Sequence, residues 1–252
     1  MITKNKLYNG EVELMFENFR HRYTRDSVAI PSVTTILNII AKPALVGWAS
    51  RMCSESIGEA WEAGKKYDEI EIRTILDAGQ KAHFQKKTDA GSIGTLLHNW
   101  VEDYINGKDP GMPVNEMLKE SVEKFLGWVK EHEVEFLLSE QVCYSKKYNY
   151  VGTLDFICKI DGKLYLGDLK TSNAIYPTML IQTAAYRHAR VEEYPEEGYV
   201  GQLILRIGKD GSFEVVVVRD DKMYKEMFMA FIAALKLHEQ MDFLGKYTGE
   251  KL

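Results

Sequence analysis

Residues 150–172 read YVGTLDFICKIDGKLYLGDLKTS, two runs rich in β-branched and aromatic residues joined by Asp161-Gly162. An Asp-Gly pair between two such runs is a strong signal for a two-residue hairpin. A hairpin restricts the fold, because it settles which residues of the two strands can face each other. Side chains at i and i+2 share a strand face, so Asp168 and Lys170 point one way and Leu169 the other. The hairpin also brings Asp155 onto the neighbouring strand. If the register places it beside Asp168, two carboxylates would face each other at roughly 4 Å, which costs on the order of 4 kcal/mol at an effective dielectric near 20. A packed sheet does not keep such repulsion uncompensated. Two readings stand at this point. Asp168 and Lys170 form a surface pair worth about 0–1 kcal/mol, or the acids share a divalent cation with the lysine beside it. Mg²⁺ and Mn²⁺ take carboxylate oxygens and retain waters, one of which can act as a nucleophile.

The rest of the chain is long enough, at 252 residues with 45% hydrophobic, to bury a substantial core. Its most apolar stretch, Ile30 to Ala49, is interrupted by Pro31, Asn38, Lys42 and Pro43, so no membrane association is expected. The opening MITKNKLYNGEVELMF lacks the pattern of a signal peptide, and the expected location is cytoplasmic. Cys53, Cys143 and Cys158 are odd in number and form no CxxC pair, which argues for reduced thiols. The formal net charge of −5 provides no global basic field, so a nucleic acid would be held by local patches.

Hydrophobic periodicity predicts strand and turn over ELMFENFRHRYTRD and a helix over SVTTILNIIAK capped by Ser32 or Thr34. A second helix follows over PALVGWASRMCSESIGEAWEAG. Residues 68–89 read as another helix with a basic connection, QKAHFQKKTDAG, before a separate helix SIGTLLHNWVEDYINGK that ends near Asn106 and Gly107. VNEMLKESVEKFLGWVKEHE is plainly amphipathic. From Glu135 the period changes to three strands, a helix (TMLIQTAAYRHARVEEY), two strands around KDG, and a long closing helix. The expected fold class is α/β: one domain over 1–252, with a mixed central sheet flanked by helices. A helical portion spans about 30–134, a core about 135–218 and a C-terminal helix about 221–244. Trp48, Trp61, Trp100 and Trp128 fall within helical patterns and read as core.

Asp155 followed by Asp168-Leu169-Lys170 resembles the PD-(D/E)XK nuclease superfamily, with its restriction-endonuclease-like core. Four further features, in order, are similar to its RecB-like exonuclease branch: PSVTTIL at 31–37, GTLLHNWVE with His98, Glu140 on the strand before the hairpin, and Gln182 with Tyr186 as Q-x-x-x-Y. The resemblance covers roughly residues 31–218. It extends to small stand-alone exonucleases, such as phage-encoded and mitochondrial genome maintenance enzymes. It implies that Asp155, Asp168, His98 and the Leu169 carbonyl hold one or two Mg²⁺ or Mn²⁺ ions, with Lys170 catalytic beside Asp155 and Asp168. Glu102 shares a helix face with His98 and could fix its imidazole, and Glu140 stands as a supporting acid or an ion-pair partner.

DNA, as single strands or duplex ends, is the implied substrate. Contacts are expected from Gln182, Tyr186, Thr171 and Ser172, and from Lys146 and Lys147, where SKKYNY alternates cations with rings. Ser172 and Thr171 could equally cap the turn that follows Lys170. The implied setting is recombination, repair or replication, in the host cytoplasm if phage-encoded, with a recombinase, single-strand-binding protein or helicase as partner. No cysteine follows Cys158, so the iron–sulfur cluster of some RecB-like nucleases is not expected. No G-x-x-x-x-G-K-[ST] loop is present, so ATPase chemistry is not expected either. A non-catalytic nucleic-acid-binding protein on the same fold, or an endonuclease or structure-specific nuclease, is the alternative.

Overall fold

The computed structural model describes residues 2–246. Met1 and residues 247–252 of the expected 1–252 domain lie outside the described residues. The chain divides into two compact units, Met1–Ile40 with Leu97–Leu252, and Ala41–Leu96.

The first unit begins with an antiparallel sheet of four strands: β1 (Ile2–Leu7), β2 (Val12–Glu17), β3 (Arg22–Arg25) and β4 (Val28–Ile30). Sequence periodicity pointed to strands only around β2 and β3. β1, ITKNKL, is a polar edge strand whose lysines discourage further pairing. A short helix, α1 (Val33–Leu37), follows, and Ser32 caps it by accepting the Thr35 N–H at 3.1 Å.

The second unit contains α2 (Pro43–Ala60) and the first part of α3 (Glu69–Ile105). A Cβ at Gly79 would collide with Ile57, so glycine there lets α3 approach α2 closely. Trp61 is stacked on Tyr67 and exposed rather than core. The expected break between two helices does not occur: α3 is continuous through QKAHFQKKTDAG. Gly91 costs a helix about 1 kcal/mol, less than the surrounding Gln, Lys and Ala residues give back through their helix propensity. Its end is as expected, with Gly107 at φ 73 and the Asn106 N–H bonded to the Glu102 carbonyl.

From Leu97 the chain is again in the first unit. α4 (Glu116–Glu131) leads into five strands, β5 (Glu135–Ser145), β6 (Tyr150–Ile160), β7 (Lys163–Lys170), β8 (Gly201–Ile207) and β9 (Phe213–Val218). α5 (Pro177–Glu193) links β7 to β8, and α6 (Asp221–Gly245) closes the described chain. The sheet order is β5-β6-β7-β8-β9, antiparallel except for the parallel β7–β8 pair, which requires the α5 crossover. The fold is therefore α/β with a mixed sheet between helices. One face packs Leu154, Ile157 and Leu166 against α1, α5 and α6. The other packs Phe156, Tyr165 and Leu169 against α4 and the last turns of α3. Burial on both faces explains why β8, GQLILRI, is apolar almost without alternation and buried at all seven positions. Among the described residues no helix is long and apolar enough to cross a membrane.

Candidate active site

The β6–β7 ladder runs from the Asp161-Gly162 turn to the Phe156–Gly167 pair. One further step would set Asp155 opposite Asp168, but the ladder ends there. On its other edge β7 stays paired with β8 from Tyr165–Gly201 through Lys170–Arg206. The Leu169 N–H donates to Asp155 Oδ2 at 2.6 Å. The Asp155 carboxylate thus takes the place of a backbone acceptor in the fork between the two strands.

Asp155 Oδ2 also lies 3.5 Å from His98 Nε2. His98 sits on the last turns of α3, next to Leu97, which is anchored in the core together with Val101. Asp155 beside it raises the imidazole pKa, against the lowering effect of burial.

Asp168 is 1% exposed. Lys170 Nζ stands 2.5 Å from its Oδ2, a buried ion pair. Burial pushes the Asp168 carboxyl up to about 7; Lys170 draws it down and Asp155 adds to the rise. Burial disfavours the Lys170 ammonium, but Asp168 and then Asp155 outweigh it and hold its pKa above the usual lysine value.

Glu140 adopts a left-handed φ of 50 in β5, between Ser139 and Gln141, which pair with Phe156 and Leu154 on either side of Asp155. Although the residue as a whole is exposed, desolvation followed by the charge of Asp155 pushes its carboxyl up to about 7, with His98 opposing. One donor atom each from His98, Glu102 and Glu140 lies within 4.8 Å of the others. Glu102 and Glu140 are therefore placed to ligate as well as to support. The donor set suits a hard divalent cation: four carboxyl groups and an imidazole.

The residues suggested for substrate contact divide. Gln182 donates to the Tyr186 hydroxyl at 2.7 Å, and the Tyr186 ring, 3% exposed, lies over Gly152, where a Cβ would overlap it. Burial, then Asp168, raises the Tyr186 hydroxyl pKa, so this pair neighbours the acids. Ser172 Oγ donates to the Ala174 carbonyl at 2.7 Å, a turn-closing bond. Thr171 follows Lys170 at the strand end and is half-buried. Lys146 pairs with Glu11 at 2.7 Å and lies over the Tyr8 ring at 3.9 Å. Lys147 lies over Tyr148 at 5.0 Å. Both lysines are in the turn before β6, more than roughly 15 Å along the strand from Asp155. The expected alternation of cations and free rings in SKKYNY does not form. Tyr150 is fully buried with its hydroxyl on the Ala185 carbonyl, and Tyr148 packs on His188 and Phe228.

Fold and site together define an α/β protein with an acid, imidazole and ammonium cluster at a strand fork. No family model matches the chain, and no curated protein matches it. Among solved structures it is similar to an exonuclease by assignment from Eubacterium rectale, at 13% identity and TM-score 0.35, covering 58% of this chain and 68% of that one. It is also similar to an alkaline exonuclease from Laribacter hongkongensis, at 10% identity and TM-score 0.34, covering 79% and 90%.

Proposed function

We propose that the chain is a metal-dependent deoxyribonuclease of the PD-(D/E)XK type that hydrolyses phosphodiester bonds from DNA ends, in recombination, repair or replication. The observation that carries this reading is the buried Asp168 carboxyl, paired with Lys170, beside the Asp155 fork with His98 and Glu140. One ammonium and one imidazole do not balance four carboxyl groups gathered at a strand fork, and a divalent cation would.

His98, Asp155 and Asp168 would hold Mg²⁺ or Mn²⁺, with the Leu169 carbonyl at the same fork and Glu102 and Glu140 within reach. Such an ion supplies Lewis acidity toward a phosphoryl oxygen and a nucleophile at neutral pH. Asp155 is fixed by the Leu169 N–H, so its free oxygen keeps one direction relative to Asp168. Lys170, held by Asp168, sets a positive charge where negative charge builds on the phosphate in the five-coordinate state. Gln182 and Tyr186 border this charge and can orient a phosphate or a base.

End-labelled linear DNA and closed circular DNA, each incubated with Mg²⁺, Mn²⁺ or EDTA, test the proposal. Label should be released from linear DNA only with metal, while the circle survives. A nicked or linearised circle would assign an endonuclease instead. Binding without degradation under every metal would assign a non-catalytic role and overturn the proposal.

A further inference from the structure

The turn between β2 and β3 carries Phe19, which is 95% exposed, in the run Glu17-Asn18-Phe19-Arg20-His21-Arg22. A ring held in water at a hairpin tip adds nothing to the packing of this chain. Arg20 and Arg22 flank it and share one carboxylate, Glu17, at 3.7 and 3.4 Å. The tip therefore carries excess positive charge in a chain of net charge −5.

Behind the tip a row of rings leads toward the acids. His21 stands edge-on to Phe16 at 6.1 Å, and Phe16 lies against Tyr23, its partner across the β2–β3 pair, at 4.5 Å. The Tyr23 hydroxyl bonds with Thr153 Oγ1 at 2.9 Å, two residues before Asp155 on β6. The path from Phe19 through Tyr23 and Thr153 to Asp155 is roughly 30 Å at most.

Resting on the nuclease reading, we infer that the β2–β3 tip is a clamp for single-stranded DNA: Phe19 stacks on a base while Arg20 and Arg22 contact phosphates of the strand that enters the acid cluster. Stacking on an aromatic ring tolerates any base, and flanking cations follow the backbone, which is how sequence-neutral strand grooves work. An apolar protein partner would call for apolar neighbours around the ring. Those present are Asn18, Arg20, His21 and Arg22, which suit a polyanion.

Fluorescence anisotropy of the full chain with a labelled single-stranded oligonucleotide in EDTA tests this without hydrolysis. Phe19→Ala should raise Kd about tenfold, and Phe19→Trp should retain affinity and show indole quenching absent from the wild type. Replacing Arg20 and Arg22 by Ala should weaken binding and flatten the salt dependence by about 1 in slope per lost contact. Because Phe19 is fully exposed, thermal melting of Phe19→Ala should match the wild type. An unchanged Kd for Phe19→Ala, or no oligonucleotide binding by the wild type, overturns the clamp. Tight binding lost with Phe19→Ala but no metal-dependent cleavage in the wild type would retain the clamp and sink the nuclease reading.

Discussion

Lys170 and Asp168 make the most exacting demand on the chemistry. If the ammonium stabilises the phosphate charge, Lys170→Ala should lower single-turnover cleavage by about 100-fold or more while DNA binding in EDTA stays near wild type. The fold should persist, because Asp168, already pushed up to about 7, can take a proton once its counter-ion is gone. A variant that cuts at the wild-type rate would remove Lys170 from the mechanism. The placement of Asp155 and Asp168 on adjoining strands was legible from the Asp161-Gly162 turn. The Leu169 N–H on Asp155 was not. A turn sets which residues pair, not where the two strands part. The left-handed Glu140 was also hidden, because nothing in SEQV marks a glutamate for positive φ.

Strands and helices meet at two glycines whose side-chain absence the site requires. A Cβ on Gly167 would overlap the Phe156 ring across the ladder, and one on Gly152 would overlap Tyr186 of α5. Gly152→Ala should destabilise by about 1–3 kcal/mol through overpacking, measured by urea unfolding, and should lower cleavage by displacing the Gln182–Tyr186 pair. Shrinking the ring with Tyr186→Leu should recover part of the stability, a coupling that a double-mutant cycle detects. Additive losses would mean the contact is not what limits that position. Period and turn chemistry revealed α4, α5, α6 and β5 to β9 in order. They missed β1, whose alternating lysines look like solvent-exposed coil, and split α3 at a glycine that its neighbours' propensity overrides.

Stability of the assembled fold should depend on His188, which stacks on Phe228 at 3.8 Å and meets Tyr148, tying α5 to α6 and to the β5–β6 turn. Its Nε2 is buried without a hydrogen bond. Burial lowers its pKa; Glu192 on α5 opposes this and Lys147 in the turn adds to it. A histidine with a folded pKa below its unfolded one leaves the unfolded chain holding more protons in acid. Its contribution is intact above about pH 6.5 and is lost as pH falls below that value. Urea unfolding at about pH 7.5 and about pH 5.5 should show a larger loss for wild type than for His188→Phe; equal losses would show that His188 takes up protons alike in the folded and unfolded chains.

The metal reading of the β6–β7 fork is tested most directly by soaking crystals in Mn²⁺ and measuring the anomalous difference density. A peak bounded by His98, Asp155 and Asp168, with Lys170 beside it, is expected. An empty fork at a Mn²⁺ concentration that supports DNA degradation, or a peak elsewhere, would contradict it.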